Sequence, residues 1–257
     1  MSDLHIVVVG THSAPTFAVY QYLAERFGVD RLVLETPESK KLILKRRIKK
    51  LGVVRAGGQL AFQLLVAPAL RHSSAARVRA IQEEFQLNTS APAGDAISRV
   101  GSINSPEAIQ LLKELGPRLI VVAGTRILSK QFLGSAQCPV VNIHAGITPL
   151  YRGVHGAYWA LVERRPDLCG VTVHRVDAGI DTGEVLAQRL IHTTELDNFV
   201  TYPWIQLGEG LKALAELLPE VVSGERIGVP AMSTESRLRY HPTFWDYLRY
   251  RIRDGVK

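Results

Sequence analysis

The sequence predicts an α/β fold in which an open, mostly parallel sheet is interrupted by a helical insert and followed by a helical tail. Apolar, β-branched runs at residues 4–9 and 31–35 flank an amphipathic stretch at residues 14–27, and this strand–helix–strand alternation builds parallel sheets. The alternation resumes near Ile97, after a long segment without a strand pattern. The 257 residues, of which 46% are hydrophobic and 21% charged, are enough for a substantial core without crosslinks.

The remaining elements follow from the period of the apolar residues and from the capping residues. Short apolar runs bounded by turn residues predict strands, and Ser105 followed by Pro106 predicts the start of a helix. The predicted strands are residues 97–100, 118–123, 139–143, 169–175 and 184–190, and the predicted helices are residues 106–115 and 199–222.

The insert, at about residues 37–91, concentrates the charge of the chain. Leu44, Ile48 and Leu51 recur at helical spacing and leave the basic residues on the other faces. The segment from Lys40 to Lys50 holds seven basic residues and no acid, so the net charge of +7 is local. Four interpretations stay open for it, namely a solvated helix face, capture of a phosphorylated acceptor, contact with an anionic membrane, and RNA binding.

The composition excludes several classes of protein. The two cysteines, Cys138 and Cys169, are too few for a disulfide framework or a four-cysteine metal site, which favours a reducing compartment. The N-terminus lacks the basic region of a signal peptide, and the longest apolar run, near residues 60–70, is shorter than the ~20 residues that cross a membrane. No dinucleotide or P-loop motif occurs. We therefore expect a cytoplasmic protein without a transmembrane segment.

Two polar clusters in the second half of the chain could carry chemistry. Asn142 and His144 lie two residues apart at the end of a predicted parallel strand, so both project from the same face, at the edge where such sheets bind ligands. The second cluster is a glycine-rich loop, D-A-G-I-D-T-G, that contains Asp177 and Asp181. An amide, an imidazole and a carboxylate in one pocket can polarise a carbonyl, bind an oxyanion and transfer a proton.

The other histidines are expected to be structural. His155 and His174 are expected to form structural hydrogen bonds, and the scattered spacing of the remaining histidines predicts no metal site.

Several motifs, in the same order along the chain, resemble those of the folate-dependent formyltransferases. They are V-A-G-T-R-I-L from Val122, N-I-H from Asn142 with a P-L-Y-R-G loop after it, G-V-T-V-H from Gly170, and D-x-G-x-D-T-G from Asp177. The resemblance covers roughly residues 118–188. This family includes the glycinamide ribonucleotide formyltransferases, the catalytic domain of methionyl-tRNA formyltransferase and the sugar N-formyltransferases.

The resemblance implies roles for individual residues. Asn142, His144 and Asp181 match the catalytic residues of the family. The pocket for N10-formyltetrahydrofolate would be lined by Arg126, Ile127, Leu128, Asp177 and Gly179, and the acceptor would contact Thr148, Tyr151, Arg152, Tyr158 and Trp159.

The resemblance also implies an N-formyltransferase of one-carbon metabolism that passes the formyl group to a primary amine without a metal, on the family's Rossmann-like sheet. The preferred acceptor is a nucleotide-linked amino sugar, because the insert departs from the compact glycinamide enzymes and the Tyr158-Trp159 pair resembles the sugar enzymes. Glycinamide ribonucleotide is the alternative acceptor, and a non-catalytic protein that binds an anionic surface or RNA is a further alternative. Initiator tRNA is disfavoured, because the short tail cannot form the β-barrel domain of methionyl-tRNA formyltransferases.

In this interpretation residues 1–200 form the catalytic domain, which carries the insert. Residues 201–257 form a helical C-terminal extension that packs on it. The oligomeric state stays open, with a homodimer as one option.

Overall fold

Residues 4–257 are described by a computed structural model, and residues 1–3, with which the predicted catalytic domain begins, lie outside it. The strands of the central sheet begin within two residues of their predicted positions. The strands are β1 (Ile6–Thr11), β2 (Arg31–Glu35), β3 (Ile97–Val100), β4 (Leu119–Ala123), β5 (Val140–His144), β6 (Arg152–Gly153), β7 (Gly170–Arg175), β8 (Val185–Leu190) and β9 (Leu238–Arg239).

The central sheet has seven strands in the order β3-β2-β1-β4-β5-β7-β8. The first five strands of this order pair in parallel, whereas β7 pairs antiparallel with both β5 and β8. The predicted open, mostly parallel α/β sheet is therefore confirmed. The carboxyl ends of β4 and β5 lie side by side, and they form the edge at which parallel sheets bind their ligands.

Helices cover both faces of the sheet, which explains why the central strands are apolar along their whole length. In β1 the side chains of Ile6 and Val8 join the core on one face, while Val7 and Val9 join the core on the other. The helices are α1 (Ala14–Phe27), α2 (Lys40–Leu51), α3 (Val53–Ala61), α4 (Ala67–Ser73), α5 (Ala75–Glu84), α6 (Pro106–Leu115), α7 (Lys130–Ser135), α8 (Gly156–Val162), α9 (Tyr202–Ser223) and α10 (Phe244–Asp254).

The chain between β2 and β3 is helical, and its longest helical run is Val53–Ser73. A π-helical turn, Phe62–Val66, joins α3 to α4 within this run. The helix includes Gly57 and Gly58. A glycine suits position 58 because the helix packs closely against Thr243 there, and a Cβ atom on residue 58 would lie 2.9 Å from the threonine Cβ. The run has a mean hydropathy of 1.3 and is long and apolar enough to cross a membrane by length and composition alone. This apolar helical run is therefore longer than the apolar stretch near residues 60–70 by which its length was judged from the sequence.

The C-terminal part packs on the rest of the fold at three places. Helix α9 contacts β5, β7, β8 and α1, and α10 contacts α3 and the π-helical turn. Strand β9 pairs in parallel with β6 in a separate two-stranded sheet. The division of the chain at residue 200 and the insert boundaries at about residues 37–91 stay predictions.

A buried ion pair ties α5 to the turn before α9. Arg77 donates to both carboxylate oxygens of Asp197, with Nε–Oδ1 and Nη2–Oδ2 distances of 2.9 and 3.0 Å. Burial raises the pKa of Asp197, but hydrogen bonds from Arg77 and Thr194 outweigh burial and bring the pKa below its ordinary value. The Asp197 carboxylate is therefore charged at neutral pH.

We expect Asp197→Asn to lower the free energy of unfolding at neutral pH by about 1.5–3 kcal/mol, because Arg77 loses a charged acceptor. Since the folded pKa lies below the unfolded value of about 3.9, the contribution is fully present above that value and is lost as the pH falls through the folded pKa. Urea denaturation over a pH series measures it. The matched control is Asp167→Asn, which removes an exposed ion pair with Arg165 and is expected to change stability little. Equal stability of the Asp197→Asn variant and the wild type at neutral pH would contradict the prediction.

Candidate active site

Three predicted polar residues meet at the carboxyl end of β5. Strand β5 carries Asn142 and His144, and the loop between β7 and β8 carries Asp181. The Nδ1 atom of His144 lies 3.3 Å from Oδ1 of Asp181. The imidazole and the carboxylate, which are 37 positions apart in the sequence, are therefore in direct contact.

Both carboxylate oxygens of Asp181 contact polar groups of the protein. Its backbone adopts a left-handed φ of 50°, and its Oδ2 accepts a hydrogen bond of 2.8 Å from the backbone N–H of Gly153. Burial raises the pKa of Asp181, but the contacts with His144 and Gly153 lower it more, so the net pKa is below the ordinary value. The residue is a charged carboxylate at neutral pH.

His144 is buried between two hydrogen-bond acceptors. Its Nε2 lies 2.7 Å from the backbone carbonyl oxygen of Tyr151, and its Nδ1 faces Asp181. A carbonyl and a carboxylate can only accept, so both ring nitrogens form hydrogen bonds only when both carry a proton. The surroundings thus suit a positively charged imidazole that acts as a donor.

His174, which was expected to form structural hydrogen bonds, forms one with Asn142. It lies directly opposite Asn142 in the antiparallel β5–β7 register, with 3.2 Å between its Nε2 and the asparagine Nδ2. Burial lowers the pKa of His174 and keeps it neutral, and its Nδ1 lies 2.8 Å from the carbonyl oxygen of Arg175. Nδ1 therefore carries the proton and Nε2 accepts from the Asn142 amide, which fixes the amide's orientation.

The polar residues lie in a cavity of about 380 Å³ at this edge of the sheet. Five residues predicted from the resemblance to bind folate line the same cavity as Asn142, His144 and Asp181. They are Arg126, Ile127, Leu128, Asp177 and Gly179.

Two of these five residues use their charged side chains to hold the cavity wall. The Arg126 guanidinium donates to the buried Glu35, with an Nε–Oε2 distance of 2.5 Å, and to the Thr36 carbonyl oxygen at 2.7 Å. The Asp177 carboxylate accepts hydrogen bonds from within its own loop, from the Gly179 N–H at 3.0 Å and the Thr182 hydroxyl at 2.7 Å. Both charges therefore have partners in the protein and shape the loops that line the cavity.

The structure places four of the five predicted acceptor-binding residues in the core. Thr148, Tyr151, Tyr158 and Trp159 are buried and do not line this cavity, and their contact with an acceptor stays a prediction. Tyr158 and Trp159 are buried as parts of the apolar helix α8. The Arg152 Nη1 donates to the carbonyl oxygen of Ile180, a residue of the cavity wall, at 3.3 Å.

Within residues 4–257, no group of three or more His, Cys, Asp or Glu side chains is placed to hold a metal ion.

Comparison with known proteins identifies the family. Residues 71–203, about half of the chain, match the family described as Formyl transferase. The chain therefore belongs to the formyl transferase family, as the motifs predicted. The matched region contains Asn142, His144, His174 and Asp181.

The relatives that match in sequence include methionyl-tRNA formyltransferases. The one from Caldanaerobacter subterraneus subsp. tengcongensis is 34% identical over 140 residues, which make up 54% of this chain and 44% of the relative. The chain spans about half the length of the curated relatives it matches.

Solved structures that resemble this one include sugar N-formyltransferases. The enzyme from a Shewanella species has a TM-score of 0.55 and 14% identity, with 92% of this chain and 76% of the other chain covered. The sugar 3-N-formyltransferase WlaRD, solved in the presence of dTDP and 5-N-formyl-THF, has a TM-score of 0.53 and 13% identity, with 93% and 70% covered. At these identities the likeness shows a shared fold.

Proposed function

We propose that the protein transfers a formyl group from N10-formyltetrahydrofolate to the primary amine of a nucleotide-linked amino sugar. The observation that carries the proposal is the contact of His144 with Asp181 beside Asn142, in a cavity at the carboxyl ends of β4 and β5. Membership of the formyl transferase family supports the reaction type.

The cavity suits a folate-type donor in size and lining. Its volume of about 380 Å³ is in the range of small-molecule sites. The backbone of Arg126 to Leu128 and the loop from Asp177 to Asp181 line it, so backbone polar groups and the apolar Leu128 are available to a planar ring. When bound there, the donor supplies an activated formyl carbon.

Asn142 and His144 stabilise the charge that develops during transfer. As the neutral amine attacks, negative charge grows on the formyl oxygen, and each donor aimed at that oxygen is typically worth ~2.7–4 kcal/mol. One amide proton of Asn142 is engaged by His174, which leaves the second for the substrate. Both ring N–H groups of His144 already donate, to the Asp181 carboxylate and to the Tyr151 carbonyl oxygen, so His144 acts on the formyl oxygen through the positive charge of its ring.

Asp181 also accepts and returns the proton that the attacking nitrogen loses. The new bond joins that nitrogen to the formyl carbon, and the carbon's bond to the donor nitrogen breaks. The amine proton must be removed, and a charged carboxylate can accept it through one water molecule and return it to the departing nitrogen. The lowered pKa of Asp181 keeps the carboxylate available throughout the neutral range.

The choice of acceptor draws on the structural neighbours, which include sugar N-formyltransferases and one enzyme solved with dTDP. Methionyl-tRNA is a second candidate, because the sequence relatives carry that name and the segment from Lys40 to Lys50 is strongly basic. Glycinamide ribonucleotide is a third. The cytoplasmic location and the oligomeric state stay predictions.

Turnover with a panel of amines tests the proposal. Release of tetrahydrofolate is followed by ultraviolet absorbance with nucleotide-linked amino sugars, glycinamide ribonucleotide and charged initiator tRNA as acceptors. We expect the highest kcat/KM with an amino sugar, and loss of turnover in His144→Ala with an unchanged circular dichroism spectrum. Turnover confined to the tRNA or to glycinamide ribonucleotide would overturn the acceptor assignment, and no turnover with any amine would overturn the reaction.

His174 is expected to act as a positioning residue in this reaction. We expect His174→Leu to lower kcat about 10- to 100-fold with little change in the KM for the donor, because the Asn142 amide loses the acceptor that orients it. His174→Gln offers an amide oxygen in place of Nε2 and should recover part of kcat. Steady-state kinetics of the two variants measure both effects. Equal kcat values for His174→Leu and the wild type would contradict the positioning role.

A further inference from the structure

We propose that helix α2 and the helical run Val53–Ser73, together called the docking surface, bind the surface of an anionic lipid membrane. The first observation is exposed aliphatic surface. The side chains of Val53, Val54, Leu64 and Leu65 are 70%, 87%, 65% and 65% exposed. Such spacing places them on the outward side of the run, and contiguous exposed apolar surface of this kind marks an interaction site.

The opposite side of the run is fixed to the folded protein. Gln59 Nε2 donates to the His241 carbonyl oxygen at 2.6 Å, and the Phe62 ring packs 5.2 Å from the ring of Tyr247. Just beyond the run, the Asn198 amide donates to the Ser74 hydroxyl at 2.7 Å. The run is therefore attached along its length and at its end to one domain. This arrangement suits a helix that lies on a membrane rather than one that crosses its ~30 Å core.

The second observation is the charge of the docking surface. Residues 40–73 contain nine Lys and Arg residues and no acid. Helix α2 has no buried residue, and Leu42, Ile43 and Ile48 on it are 41%, 37% and 38% exposed. Among the described residues, Arg46 is the one cation of α2 that pairs with a carboxylate, that of Glu38 at 2.8 Å. The other cations are available to lipid phosphates, and basic residues among exposed aliphatic ones characterise interfacial helices.

The aliphatic character and the positive charge of the docking surface disfavour RNA and a second copy of the chain as its binding partner. Proteins that bind single-stranded RNA add aromatic rings on which bases stack, whereas the exposed apolar residues of the docking surface are aliphatic. Two copies of the surface would bring like charges together, which opposes self-association. An anionic membrane satisfies both the cations and the aliphatic side chains.

The docking surface starts at the sheet edge that carries the candidate site. Helix α2 begins five residues after Glu35, the last residue of β2, and Glu35 holds Arg126 at the cavity wall. Most of the docking surface, residues 40–70, lies before the region that matches the family.

Co-sedimentation of the full chain with vesicles tests the proposal. We expect binding to vesicles of phosphatidylcholine mixed with phosphatidylglycerol, weaker binding to pure phosphatidylcholine, and a decrease with added salt. The double variant Leu64→Gln/Leu65→Gln, and separately Lys45→Gln/Lys49→Gln, should each weaken binding by about tenfold or more. The matched control is Ile227→Gln, which replaces a 77% exposed isoleucine outside the docking surface and should bind as the wild type does.

Three results would overturn the proposal. They are equal sedimentation of the leucine double variant and the wild type, binding to RNA but not to vesicles, and a concentration-dependent dimer that the leucine substitutions abolish. The readout is independent of the proposed reaction, because binding is measured without substrate. Soluble turnover without vesicle binding would reject the docking alone, and vesicle binding without turnover would reject the reaction alone.

Discussion

Replacement of Asp181 by asparagine is expected to lower the turnover number by about 10²- to 10⁴-fold. The substitution keeps the size of the side chain and an oxygen that can accept from the Gly153 N–H, so the loop between β7 and β8 should keep its shape. It removes the negative charge 3.3 Å from the His144 ring and the base that takes the amine's proton. The KM for the donor should change much less than kcat, because charge compensation matters most in the transition state.

The pH dependence gives a second readout of the same residue. Since the pKa of Asp181 lies below its ordinary value, protonation of this carboxylate should not limit wild-type activity until the pH falls below about 3.9. If wild-type activity fell near neutral pH because Asp181 became protonated, the assignment of Asp181 as a charged carboxylate would be contradicted.

Steady-state kinetics with the acceptor identified from the panel, together with circular dichroism, measure the effect of Asp181→Asn. Asp167→Asn serves as a control for loss of one acid, because Asp167 pairs with Arg165 away from the cavity. A kcat for Asp181→Asn equal to that of Asp167→Asn would remove the basis for the proposed proton transfer.

The parallel part of the sheet could be predicted from the sequence because its signal is local. Strands buried on both faces are continuous apolar runs, and residues 31–35 and 97–100 were predicted with the bounds that the structure shows. The antiparallel direction of β7 and the pairing of β6 with β9 could not be predicted, because they depend on contacts between distant segments.

The candidate site, like the sheet, could be predicted where the signal in the sequence is local. The two-residue period of a strand placed Asn142 with His144, and the resemblance added Asp181. The role of His174 was missed because it arises from the antiparallel register that sets it opposite Asn142. The burial of Tyr158 and Trp159 could not be decided from the sequence, because the α8 sequence G-A-Y-W-A-L-V is apolar on every side and no polar face indicates which side chains reach the solvent.

The second large effect is expected for Gly146→Ala. A Cβ atom at this position would lie 2.5 Å from the Tyr151 carbonyl oxygen, 3.0 Å from Nε2 of His144 and 3.2 Å from Cα of Gly156. Two of these atoms belong to the backbone and cannot move aside as a flexible side chain would. The methyl group also enters the space beside the 2.7 Å contact between His144 and Tyr151. Gly146 is therefore needed for the close approach of the end of β5 to the loop after it.

We expect Gly146→Ala to lower the free energy of unfolding by about 1–3 kcal/mol, as overpacking does. Turnover should fall about 10²-fold, because a displaced His144 no longer holds its positive charge at the right distance from the formyl oxygen. Urea denaturation and steady-state kinetics measure the two effects. Gly134→Ala is the matched control, since Gly134 lies in α7 with no atom within 4 Å of an added Cβ, and alanine favours a helix.

The two measurements on Gly146→Ala separate a structural from a catalytic consequence. Kinetics are recorded without denaturant, where a fold weakened by that amount stays populated, so loss of folded protein cannot account for a large loss of turnover. If stability falls while kcat stays at the wild-type value, the contact between His144 and Tyr151 is not needed for catalysis, and the proposed positioning of the His144 charge is wrong. A fall in both quantities, with Gly134→Ala unaffected, is the result that a charged ring fixed by this contact requires.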